Sequence, residues 1–150
     1  MDDMFVYEYV TLAGQLNQEL KRLTQGYCAE SCPGLPAGCC TEQSFNVGSV
    51  PLLSRLQREE AQNNGWTQTP GNCQYHNPEQ GCALEKTKTP LCLGALCGSV
   101  ITNLKDTYGE QANPFISALE TLEGRSLGVE HPQYVLHAVV AALEQARKLT

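Results

Sequence analysis

The sequence predicts a mostly α fold, a helical bundle interrupted in its middle by a cysteine-rich, loop-rich segment. Three observations predict it. Apolar residues recur every three or four positions in the flanks, period-2 alternation is nearly absent, and all eight cysteines fall between Cys28 and Cys97. One domain, residues 1–150, accommodates this as a helix over 4–25, a cysteine-rich segment over 28–97 and helices over 98–149.

The elements follow in order. Phe5, Tyr9, Leu12, Leu16, Leu20 and Leu23 form one apolar stripe, which predicts the helix over 4–25 with Gly26 as its stop. Ser49 as N-cap and Pro51 in the first turn predict a second helix ending near Asn63-Asn64-Gly65. Its buried positions are expected at Leu52, Leu53 and Leu56. Six Gly and Pro residues between Gly65 and Pro90 mark a loop. The nearest strand candidate, Ser44 to Val50, is short and contains Gly48.

A third helix is expected from near Cys92 through Val100, Ile101, Leu104 and Tyr108, ended by Gly109. Asn113-Pro114 supplies an N-cap and a Pro at N1 for a short helix through Phe115, Leu119 and Leu122 to Gly124. The last helix opens near His131-Pro132 and carries Leu136, Val139, Val140, Leu143 and Ala146.

Composition narrows the function. A chain of 150 residues buries roughly two-thirds of its unfolded surface, so it does not need the disulfide density of a small secreted scaffold. The formal net charge of −6 argues against nucleic acid or an anionic membrane as partner, since either calls for a basic stripe. No run approaches 18 consecutive apolar residues. The first residues, MDDMFVYEYV, are acidic where a secretory signal is basic, so the expected location is the cytoplasm.

The cysteines read Cys28-x3-Cys32-x6-Cys39-Cys40, then Cys73-x8-Cys82-x9-Cys92-x4-Cys97. Eight thiols gathered in one segment act together, in disulfides, in metal ligation or in thiol redox chemistry. Thiolate is a soft donor suited to zinc, copper(I) and iron–sulfur clusters, and four cysteines complete either a tetrahedral zinc site or a common cluster. Eight therefore supply two such sites, or one site and spare thiols. The sequence has neither a C-x2-C knuckle nor a C-x2-C-x2-C ferredoxin run. Pro33, Gly34, Pro36, Gly38, Gly71 and Gly81 supply tight turns that let sulfurs converge, and they would equally suit an irregular surface loop.

CAESCPGLPAGCC followed by NCQYHNPEQGCALEKTKTPLCLGALC resembles the YkgJ-type cysteine-cluster family, described as zinc- or iron-chelating domains. The likeness covers about residues 28–97, with Gly81-Cys82-Ala83-Leu84 and Pro90-Leu91-Cys92 in the family's order. It implies Cys28, Cys32, Cys39, Cys40, Cys73, Cys82, Cys92 and Cys97 as metal ligands, with zinc or iron (as an Fe–S cluster) as cofactor. It also implies kinship with the cysteine-motif region of flagellin lysine methylases, which keeps an iron–sulfur methyl-transfer enzyme open.

The other polar residues carry less. His76 follows Cys73 by three positions and is read as an exposed loop residue before an occasional ligand; His131 is read as a cap, and His137 as a half-buried structural residue. Glu59-Glu60 are expected on a solvated helix face, and Asp2-Asp3 at the positive end of the first helix. Trp66 and Tyr75 are expected to cover a metal site. No Ser/His/Asp set, H-E-x-x-H motif or phosphate-binding glycine loop is present.

Three functions compete: a metal-binding protein for structure, storage or delivery; an iron–sulfur enzyme or electron carrier; and a disulfide-stapled secreted helical protein. The expected partners are a metal ion or cluster and, across the acidic helical surface, another protein. Residues 65–97 carry few large apolar side chains, so their order is expected to depend on the ligand.

Overall fold

A computed structural model describes residues 2–31, 50–65, 76–77, 81–82, 84–96, 98–125, 127–128 and 130–150; in 25–31, 76–77 and 81–82 it describes the backbone alone. The chain is mostly helical. It comprises α1 (Asp3–Ser31), α2 (Pro51–Asn63), α3 (Pro90–Gly94), α4 (Gly98–Tyr108), α5 (Ala112–Glu123) and α6 (Pro132–Arg147), with a 3₁₀ turn at Gly109–Gln111. A minimal antiparallel ladder pairs β1 (His76–Asn77) with β2 (Gly81–Cys82), His76 opposite Cys82. It lies in the stretch expected to be loop. The candidate strand at 44–50 falls outside the described residues except for Val50, and so do Ser49, Trp66 and Tyr75.

The predicted stripe on α1 is the heart of the core. Phe5, Tyr9, Leu16, Leu20 and Leu23 are buried, joined by Val6 and Ala13, while Leu12 sits at the edge. The helix does not stop at Gly26. It runs on to Ser31, because a single glycine costs a helix only about 1 kcal/mol and no proline follows until Pro33. Cys28 is therefore part of α1.

α6 packs on both α1 and α5, α3 packs on α5, and α4 touches α1 and α5. From α6 the core receives Val135, Leu136, Ala138, Val139, Ala142, Leu143 and Ala146, whereas Val140 is exposed. His131 caps this helix as expected, its Nδ1 accepting from the Gln133 N–H at 3.2 Å. His137 faces solvent rather than lying half-buried. Arg22 reaches from α1 to donate to the Ala146 carbonyl, which also accepts the Leu149 N–H at 3.1 Å, and so ties the end of α6 to α1.

Three boundaries differ from expectation, each for a local reason. α2 opens at Pro51 with Val50 as cap residue, and ends at Asn64-Gly65, where Gly65 takes a positive φ of 66°. The expected third helix is two helices: α3 ends at Gly94, and Ala95 turns to extended backbone before α4 begins at Gly98. α5 opens two residues before Pro114, directly out of the 3₁₀ turn, so Asn113 is a helical residue and not its cap.

The end of α3 shows why the break falls there. A Cβ on Gly94 would stand 2.4 Å from the Leu119 carbonyl oxygen and 2.6 Å from the Glu123 nitrogen. The backbones of α3 and α5 touch at that point, and only glycine fits. Among the described residues, no helix is long and apolar enough to cross a membrane.

Gly94→Ala should therefore destabilise the fold by about 3 kcal/mol through overpacking against backbone that cannot yield. Gly98→Ala, with nothing near its would-be Cβ, should change stability by no more than about 0.5 kcal/mol. Urea unfolding of the two variants checks both.

Candidate functional site

Cys92 follows a short irregular segment, residues 84–89, and that segment is held by polar side chains of α1 and α2. Glu60, on α2, is its main anchor. The Glu60 carboxylate accepts the backbone N–H groups of Glu85 (3.0 Å), Lys86 (3.1 Å) and Thr87 (3.3 Å), and the Thr87 hydroxyl (2.7 Å). Three consecutive N–H groups around one anion form a concave backbone nest. Glu60 is thus engaged with backbone and does not belong to a solvated face. Its neighbour Glu59 does, facing Arg55 across 3.7 Å at the surface.

One turn back on α2, Gln57 is buried and donates through Nε2 to the Thr87 carbonyl at 2.9 Å. Leu53, Gln57 and Ala61 are the buried positions of α2, with Leu52 and Leu56 only half covered. The buried positions expected for α2 were Leu52, Leu53 and Leu56; the observed buried face includes a glutamine because an irregular segment packed against helices leaves carbonyls that must be satisfied.

α1 holds the other side. Tyr9, fully buried, donates its hydroxyl to the Lys88 carbonyl at 2.5 Å. Burial pushes the Tyr9 phenol well above its ordinary value of 10.0, and the neighbouring Cys92 thiolate charge adds to the rise. Lys88 Nζ returns to Asn17 Oδ1 at 2.7 Å, and Lys21 pairs with Glu85 at 2.5 Å. A groove of about 270 Å³ follows α1 past Val10, Gly14 and Asn17 to Lys21, Glu85 and Lys86. Asn17 is buried beside it, and its Nδ2 has no hydrogen-bond partner among the described residues.

After the segment the chain enters α3. Thr89 caps it, with its hydroxyl accepting the Cys92 N–H at 3.2 Å and its carbonyl accepting the Leu93 N–H at 3.0 Å. Cys92 is half-buried on this short helix. Cys28 lies in the last turn of α1 and Cys82 in β2, both placed by backbone. Cys32, Cys39, Cys40, Cys73 and Cys97 lie outside the described residues, and the His76 side chain does too. Among the described residues, no three His, Cys, Asp or Glu side chains come together as a metal group.

Comparison with protein-family models, with characterised proteins and with solved structures found nothing that matches the chain.

Sequence patterning finds apolar faces, and so it missed Tyr9, Gln57 and Glu60 as a set. The only signal available was a glutamine and a glutamate three residues apart on one helix. Replacing Glu60 by Ala should cost about 3 kcal/mol, since a charged acceptor of four hydrogen bonds is lost. Tyr9→Phe should cost about 2 kcal/mol by leaving the Lys88 carbonyl bare, and Glu59→Ala should be near neutral; thermal or urea unfolding reads all three.

The Lys21 hydrogen bond holds Glu85 below its ordinary value of 4.5; burial opposes this, while the Lys21, Lys88 and Lys86 charges reinforce it. A carboxyl with a lowered folded pKa adds stability above its unfolded value and loses it as pH falls through the folded one. The pair is half exposed, so the gain is small. In an NMR titration Glu85 should lose its proton at lower pH than a free glutamate, and Lys21→Ala should move that midpoint upward.

Proposed function

We propose that this chain is a cysteine-rich metal-binding protein of the cytoplasm, holding zinc or iron, the latter as an Fe–S cluster, through thiolates in a structural, storage or delivery role. One observation carries the reading: all eight cysteines lie between Cys28 and Cys97, and none is among the buried side chains of the described core. The donor chemistry suits a soft metal. The resemblance of residues 28–97 to the YkgJ-type family points the same way and suggests Cys28, Cys32, Cys39, Cys40, Cys73, Cys82, Cys92 and Cys97 as the ligand pool.

The frame of polar anchors supports the reading from a second direction. Leu84, Thr87, Thr89, Pro90, Leu93 and Gly94 are buried, and Glu60, Gln57 and Tyr9 satisfy the backbone between them. Residues 84–94 thus have protein partners of their own. Of residues 65–97, whose order is expected to depend on the ligand, these are held by the protein itself; for the rest, metal-binding free energy would act as folding free energy.

The protein purified anaerobically, without a metal-binding tag, should hold zinc near one or two equivalents, or iron with matching acid-labile sulfide. Metal analysis per chain checks this. A preparation with neither metal and with its eight thiols paired as disulfides would overturn the proposal.

A further inference from the structure

The groove along α1 has in its wall a buried donor that the fold leaves without an acceptor. Asn17 lines this groove and is 1% exposed, and its Nδ2 meets no acceptor among the described residues. Buried polar groups are mostly paired, so a bare one calls for an explanation. Chemistry fixes which way the amide is turned. Asn17 Oδ1 accepts from Lys88 Nζ at 2.7 Å, and an ammonium can only donate. Turning the amide over would set donor against donor. What Asn17 lacks is therefore an acceptor.

The charges around it say which kind. Lys88 sits on the Asn17 amide, and the groove wall holds Lys21 and Lys86 with one carboxylate, Glu85. Lys21 takes up the Glu85 charge in an ion pair at 2.5 Å. Lys86 makes no ion pair among the described residues. Its stem lies on Gly14, with Cγ 3.1 Å from the place a Cβ would take there. The groove is thus locally cationic, on a chain whose formal net charge is −6. Val10 gives it an apolar side. Its volume of about 270 Å³ lies just below the usual range of ligand pockets, about 300–1,000 Å³, and suits a compound of few heavy atoms.

We infer that this groove binds a small organic carboxylate, whose oxygens accept from Asn17 Nδ2 and from the Lys86 ammonium while its apolar body lies against Val10. A neutral carbonyl would satisfy Asn17 alone. A carboxylate satisfies Asn17 and gives Lys86 a counter-charge, and charge-assisted hydrogen bonds are the stronger kind. The site is built from α1 and residues 85–88 and uses no thiol, so it stands apart from the metal reading.

An NMR titration of the full ¹⁵N-labelled chain tests it. Isovalerate, benzoate and phenylacetate are added in turn, each beside its neutral amide, and the Asn17 side-chain amide signals are followed. At least one acid should shift those signals saturably and bind about tenfold more tightly than its amide. Asn17→Asp keeps the shape of the side chain and an acceptor for Lys88, but sets an oxygen where the donor was. It should weaken that acid about tenfold. Lys86→Gln, at an exposed position that leaves the core alone, should weaken it about threefold. Asn17 signals that respond to a bound water and to none of the acids would overturn the site. So would amides that bind as well as their acids, or binding left unchanged in Asn17→Asp and Lys86→Gln.

Discussion

The Glu60 carboxylate is the hinge of the whole arrangement. An irregular peptide laid between two helices, with no strand paired to it among the described residues, would leave its N–H and C=O groups bare in a part-buried site. Glu60 takes three of those N–H groups and a hydroxyl, and Gln57 and Tyr9 each donate to a carbonyl. α1 and α2 act as the missing strands. These contacts seat residues 85–88 on α1 just before Cys92, and the packing of α3 on α5 completes the placement of that cysteine.

That constraint explains the division of the molecule. The helical flanks bury aliphatic side chains in the usual way, with α6 laid across α1 and α5. α3, five residues long, could not persist alone, since isolated helices of that length are unstable in water. It is held by the Thr89 cap at one end and by the close approach of Gly94 to α5 at the other. The cysteine-bearing stretches before Leu84 have a different character. They are rich in glycine, proline and thiols and carry few large aliphatic residues.

How much of this could be read from the sequence depends on the kind of signal each element sends. The α1 stripe was legible because its core positions repeat at helical spacing, and the α6 stripe and the His131 cap were legible for the same local reason. Gly26 misled because glycine ends a helix only where the chain also needs a left-handed turn, and here α1 simply continues. The break between α3 and α4 left no mark in periodicity, because it is imposed by contact between Gly94 and a helix further along the chain. Glu60 looked like a surface residue since its partners lie at Glu85 to Thr87, distant in sequence. His137 was expected against the core because it neighbours apolar positions, and one step around the helix turned it to solvent. Of the candidate site, the residue types were plain in the sequence, while the direction in which residues 85–88 run along α1 required the fold.

The proposal that the thiolate segment takes its order from metal is tested most directly by hydrogen exchange, measured before and after chelation. Amides of Glu85, Lys86, Thr87, Cys92 and Leu93, bonded to Glu60 and Thr89, should keep their protection when metal is removed, while those of residues 76–77, 81–82 and 25–31 lose it. Collapse of protection at those five amides on chelation, or no change at 76–77, 81–82 and 25–31, would contradict that dependence.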